Sequence, residues 1–141
     1  MEKQESIQKK EELKHSMEDL LHSYETSFRD LDASKVIAHY LNSPQFQMIN
    51  DGKIMSYHDL EKELRSLFTN MTSFEGGFIE PKITVINDHL VSANAKFREV
   101  LTFFGGEKFA MKGEVTWMAK LIDGQLKFVY GHAFHKHTAT E

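Results

Sequence analysis

The sequence predicts an α+β domain, with a helix-rich first half packed on one face of a curved sheet from the second half. Three observations carry this reading. Leu13, Met17, Leu20, Leu21, Tyr24, Phe28 and Leu31 recur at helical spacing. A capping motif at Ser56 opens another helix with one apolar face. Residues 78–136 lose the helical period and carry turn signals at Asn87-Asp88, Gly105-Gly106 and Asp123-Gly124. The chain of 141 residues is long enough for one substantial core and suits one domain.

Residues 2–14 mix four glutamates with four lysines and read as a solvated helical extension, here taken as residues 1–12. The long amphipathic helix follows. Asp32 offers an N-cap to a second helix carrying Val36, Ile37, Tyr40 and Leu41, which Pro44 ends. "FQMI", "NDGK" and "IMS" form a small hairpin, because Asp51-Gly52 suits the positive backbone angles of a two-residue turn. Ser56, with Asp59 three residues on, caps a third helix bearing Leu60, Leu64, Leu67, Phe68 and Met71. After Gly76-Gly77 comes a four-stranded antiparallel meander. The main body spans residues 13–137 and a tail covers 138–141.

Turn lengths set the register of the meander. A two-residue Asp123-Gly124 loop pairs Ile122 with Gln125, and therefore Trp117 with Tyr130, Val115 with His132 and Gly113 with Phe134. Leu126, Phe128, Tyr130, His132 and Phe134 then share the inner face with Phe109, Met111, Val115, Trp117, Ala119 and Leu121. A three-residue loop, Phe104-Gly105-Gly106, pairs Phe97 with Gly113 and Ala93 with Trp117, large against small each time. Glu99 falls opposite Met111 on the apolar face, about 15 Å from His132 by strand spacings, and is read as a rim residue paired with a lysine.

Composition excludes several classes. A net charge of -4 gives no electrostatic footprint for nucleic acid. With no cysteine there is no disulfide, thiol nucleophile or thiolate metal site. No stretch has the length and apolarity of a membrane span or secretory signal, so a cytoplasmic protein is expected. No phosphate loop or cofactor fingerprint occurs, and no cofactor is expected. "HAFHKH" does not read as a metal site, because alternation sends His132 one way and His135 and His137 the other. His15 and His22 read as solvated.

The segments "FRDLDASKVIAHYL", "NDGKIMSYHDLEKEL" and "DGQLKFVYGHAF", in this order and spacing, resemble the nuclear transport factor two-like superfamily and its SnoaL-like domains. Ketosteroid isomerase and scytalone dehydratase are members. The resemblance covers roughly residues 13–135. It implies a cone-shaped, strongly curved mixed β-sheet wrapped around the long first helix plus two shorter helices, with a pocket in the open end, commonly in a homodimer. Matching positions for that pocket are Tyr24, Phe28, Phe46, Met48, Phe97, Met111, Trp117, Tyr130, His132 and Phe134, which either line or fill it.

Against ketosteroid isomerase, Tyr24 matches the helix tyrosine. The general-base position holds Met48 and the oxyanion-hole acid position Trp117, which argues against that activity. Scytalone dehydratase is a poorer comparison, with His132 as the single inward histidine of the meander. Tyr24 and His132 remain the catalytic candidates. For His132 a structural role, donating to a backbone carbonyl or Tyr24, comes first, ligand binding second and catalysis third. The functional expectation is a binder of a small apolar ligand, with lyase or isomerase chemistry if it is an enzyme. The alternative is a non-catalytic dimerisation or scaffold module. The homodimer is expected through the outer sheet face, at Met118, Val129, Gly131 and Ala133.

Overall fold

In a computed structural model describing residues 2–138, a long helix α1 (Glu2–Arg29) is followed by a short α2 (Ala33–Ile37). A small hairpin, β1 (Gln47–Asn50) and β2 (Lys53–Met55), leads to α3 (Tyr57–Asn70). Four long strands complete the chain: β3 (Met71–Asn87), β4 (Leu90–Phe103), β5 (Lys108–Ile122) and β6 (Gln125–Thr138). They form one six-stranded sheet in the order β2-β1-β6-β5-β4-β3. Among the described strands, β1 pairs parallel with β6 and the other pairings are antiparallel, so the sheet is mixed, and it curves around α1 without closing, as the α+β cone requires.

Helix α1 runs unbroken past residue 12, but its character changes there. Residues 3–12 are exposed, whereas Leu13, Met17, Leu21 and Tyr24 are buried against the sheet. Asp32 caps α2 by accepting from the Lys35 amide at 3.1 Å. That helix ends at Ile37, short of the expected Tyr40 and Leu41, because Tyr40 bridges to Phe128 and the Leu41 amide donates to the Phe128 carbonyl. The Ser56–Asp59 capping box forms in both directions at 3.2 Å and starts α3, whose Leu60, Leu64 and Phe68 are buried. Strand β3 begins at Met71, earlier than expected, and Gly76-Gly77 lies within it. Gly76, at φ 132°, faces the Arg98 carbonyl so closely that a Cβ would fall 2.0 Å from it. The tail expected at 138–141 starts in β6 with Thr138; residues 139–141 lie outside the described residues.

The β4–β5 register is as the loop length predicts: Phe97 pairs with Gly113, Ala93 with Trp117 and Glu99 with Met111. The β5–β6 hairpin also starts as expected, with Ile122 opposite Gln125 and Ala119 opposite Phe128. Then Met118 pairs with Tyr130, leaving Val129 as an inserted residue, a β-bulge. Its cause lies on the other side of β6. Phe128 bonds to the α2–β1 connection through His39 and Leu41, and from Tyr130 onward β6 pairs with β1 instead. The strand meets two different neighbours in succession, and the bulge accommodates the change.

That single insertion reverses every side chain beyond it. Trp117 pairs with Gly131, Thr116 with His132, Val115 with Ala133 and Gly113 with His135. Tyr130, His132 and Phe134 therefore belong to the outer face, correcting their expected inward placement. Gly131 and Ala133 are buried on the inner face and cannot form an outer interface.

Candidate active site

A cavity of about 310 Å3 lies between α1, α3 and the inner face of the sheet. Of the ten residues expected around a pocket, Tyr24, Phe28, Met48, Phe97, Met111 and Trp117 line it. Phe46 is buried beside it, edge-on to Tyr40 and Tyr57. Tyr130, His132 and Phe134 do not reach it. His132 contacts the Phe134 ring on the outer face, so neither its structural hydrogen bond to Tyr24 nor a part in the cavity survives.

In place of His132 stands His135. Its Nδ1–H donates to Asp51 Oδ2 at 3.0 Å, and its backbone N–H donates to Asp51 Oδ1 at 2.6 Å. Asp51 is held in turn by the hairpin: it takes φ 51° beside Gly52 at φ 85°, and its own amide donates to the Ala133 carbonyl at 3.0 Å. With Nδ1 engaged, Nε2 is the basic nitrogen, and it lies 3.6 Å from Glu99 Oε1. All three residues line the cavity. Glu99 has no lysine partner among the described residues, and its expected separation from an inward histidine disappears because the inward histidine is a different one.

Burial shapes the electrostatics. The Glu99 carboxyl is pushed up from 4.5 to about 7 by desolvation, so near neutrality it is divided between acid and carboxylate. Asp51, half exposed, keeps contact with solvent. Deeper in the cone the Tyr24 hydroxyl bonds to the Tyr40 hydroxyl, and burial raises both phenols, so both stay protonated at neutral pH. Two hydroxyls sharing one hydrogen bond leave one O–H free to donate elsewhere. Glu25 is occupied: its carboxylate accepts from the Phe78 amide at 3.1 Å and pairs with Arg29 at 3.1 Å. Trp117 and Asn50 line the cavity, and two of their buried atoms, Trp117 Nε1 and Asn50 Oδ1, have no partner among the described residues. Among these residues no group of three histidine, aspartate or glutamate side chains has the arrangement of a metal site. His15 and His22 are exposed.

The sequence reading missed His135, Asp51 and Asn50. Glu99 was the available signal, since an inward carboxylate needs a partner.

The architecture is that of the nuclear transport factor two-like proteins. A hexachlorocyclohexane dehydrochlorinase superposes with TM-score 0.78 at 8% identity, covering 96% of this chain and 95% of that one. A ketosteroid isomerase-like protein from Erwinia carotovora atroseptica gives 0.70 at 12% identity, covering 86% and 95%. A protein of the same fold and unknown function from Shewanella oneidensis gives 0.68 at 14%, covering 85% and 97%. No protein-family model matches the sequence, and no curated protein does. At these identities the likeness is one of fold, and function must be argued from the site. No described helix is long and apolar enough to cross a membrane.

Proposed function

We propose that this protein is a cofactor-independent acid–base enzyme, a lyase or isomerase, acting on a small apolar ring compound held in the cone. The observation that carries the reading is the Asp51–His135–Glu99 cluster on the wall of an otherwise aromatic cavity. Asp51 fixes the imidazole tautomer by accepting from Nδ1–H, so Nε2 takes a proton from substrate carbon. Glu99, poised near neutrality, returns a proton to a leaving group or to a second carbon. The free hydroxyl of the Tyr24–Tyr40 pair donates to charge developing on a substrate oxygen. Neighbours of this fold described as a dehydrochlorinase and as isomerase-like suit such chemistry.

The test is exchange of α-protons of β-tetralone in deuterium oxide, followed by proton NMR. Wild-type protein should accelerate exchange, His135→Ala should abolish the acceleration, and Asp51→Asn should lower it by about 10²-fold or more. Equal rates with wild type and His135→Ala sink the proposal.

The scaffold reading keeps one supporting observation, now on different residues. Ile54 and Phe134 are 64% and 57% exposed on the outer sheet face, with Ile49, Tyr130, His132 and Met118 beside them in the strand register. This apolar surface is the proposed homodimer contact, in place of Gly131 and Ala133.

A further inference from the structure

Strand β1 brings to the cavity a polar side chain that the acid–base cluster leaves unused. Met48 and Asn50 alternate onto the inner face, and both line the cavity. Met48 is buried, as an inner strand position favours. Asparagine is a poor strand residue, and packing alone would place an apolar side chain there. The adjoining turn does not account for it either. An asparagine entering such a turn commonly accepts from a backbone amide two residues on, yet Asn50 Oδ1 has no partner among the described residues. Of the amide's two terminal atoms, Oδ1 alone is both buried and unpaired. Nδ2 has no hydrogen-bond partner among the described residues, so it is the accessible atom, with two N–H donors to offer.

The position of this donor relative to the base gives it meaning. Asn50 pairs with Ala133 of β6, and the next residue, Asp51, holds His135 by two hydrogen bonds. His135 lies two residues beyond Ala133 on the same face, a diagonal of about 8 Å from Asn50. Ala133 between them is small and buried, and it forms part of the cavity floor. Such a span suits a carbonyl group and its α-carbon, with the oxygen towards the Asn50 amide and the C–H towards Nε2. Asp51 and Glu99, the other polar groups around the imidazole, are carboxyls, and an ionised carboxylate has no hydrogen to donate. Beyond this end the lining is apolar, with Leu60, Leu64, Leu101 and Met111. A cavity of about 310 Å3 is roughly twice one that holds a single benzene ring.

We propose that Asn50 Nδ2–H donates to the carbonyl oxygen of a neutral cyclic ketone whose α-proton His135 removes. The inference rests on the proposed acid–base reading, and it deepens that reading by naming the substrate class and a further residue that touches the substrate. In the step, the α-C–H bond breaks and its proton goes to Nε2. The electron pair moves into the carbonyl and leaves an enolate oxygen. Negative charge therefore grows where the Asn50 amide donates, so this hydrogen bond strengthens as the reaction proceeds. Tyr24 and Tyr40 stand on α1 and the α2–β1 connection, so Asn50 adds a donor from a different wall. Rings of the same size without an acceptor bind less well, because they cover the amide without pairing it.

Calorimetric titration with β-tetralone and tetralin, beside the deuterium-exchange assay, tests this directly. Wild type should bind β-tetralone about tenfold or more tightly than tetralin. Asn50→Leu should bring the two close to parity and lower kcat for exchange by about 10²-fold, whereas His135→Ala should abolish exchange and leave the binding ratio unchanged. A second readout requires no variant. The side-chain amide protons of Asn50, assigned in wild-type protein, should move downfield with β-tetralone and not with tetralin. Equal affinity of wild type for the two probes, binding of neither, a ratio that survives in Asn50→Leu, or amide protons indifferent to the carbonyl each overturn the inference. Exchange that needs His135 but not Asn50 refutes this inference alone. Carbonyl preference that depends on Asn50, without catalysed exchange, retains Asn50 as the carbonyl donor and refutes the acid–base reading.

Discussion

Replacing Glu99 by glutamine separates the charge of the buried carboxyl from its shape. The carboxyl is moved from 4.5 to about 7 by burial alone, and its side chain is only 18% exposed. Between those values the folded chain binds more protons than the unfolded one, so stability falls as pH rises through the window. The loss begins above about pH 4.5 and is complete above about pH 7. At roughly 1.4 kcal/mol per pH unit the interval corresponds to about 3 kcal/mol. Glutamine cannot ionise, and its fixed cost of amide burial is the same at both ends of the range. Urea denaturation of both proteins should therefore show wild type losing about 3 kcal/mol relative to Glu99→Gln between pH 4.5 and pH 8. Repeating the pair in a His135→Asn background removes the adjacent imidazole from the titration. A stability gap independent of pH in both backgrounds, or one that grows in favour of wild type as pH rises, would refute the burial of the Glu99 carboxyl.

Two further outcomes test the β6 register and the outer face. Gly131→Ala places a methyl group 2.5 Å from Met48 Sδ and the Trp117 ring; it should cost about 1–3 kcal/mol in urea denaturation, and an unchanged midpoint would return Gly131 to the outer face. Phe134→Glu should alter stability by no more than about 0.5 kcal/mol while shifting a dimer to monomer in light scattering; equal masses for the two proteins would remove this surface as the interface.

Local chemistry made most of the fold legible. Asp-Gly turns, the Ser56–Asp59 box and a helical apolar stripe each determine structure within a few residues, and each formed where the residues imply. The β4–β5 register followed from loop length plus large-against-small pairing. The same complementarity, applied one strand further, sets Trp117 beside Gly131 and Val115 beside Ala133, the pairs that occur. Continuing the period from the Asp123-Gly124 turn sets Trp117 beside Tyr130 instead. Val129 has neither glycine nor proline next to it to mark a bulge, and the cause of the insertion is a contact with His39 and Leu41, some ninety residues away in sequence. Tertiary contacts of that kind leave no local trace. Six of the ten expected cavity residues lie upstream of the bulge and line the cavity; the three beyond it all face outward.

The bulge also explains how two groups on non-adjacent strands come to share a site. Glu99 belongs to β4 and His135 to β6, with β5 between them. Two strand spacings amount to about 10 Å, yet the side chains approach to 3.6 Å. They can do so because the intervening position on β5 is Gly113, partner of both Phe97 and His135. With no side chain there, the Phe97 ring and the imidazole meet edge to face at 5.0 Å above the glycine. A Cβ on Gly113 would fall 2.6 Å from Phe97 Cζ. The cluster therefore depends on three separate features: a bulge that turns His135 inward, a glycine that clears the strand between, and a left-handed Asp51 in the hairpin that anchors the imidazole. Each feature has a cost or a constraint of its own, in an unpaired residue, a missing side chain and a positive φ. Packing alone requires none of the three to coincide around a buried carboxyl. Their convergence on one imidazole is the physical ground for reading this end of the cone as a reactive site, not as a filled core.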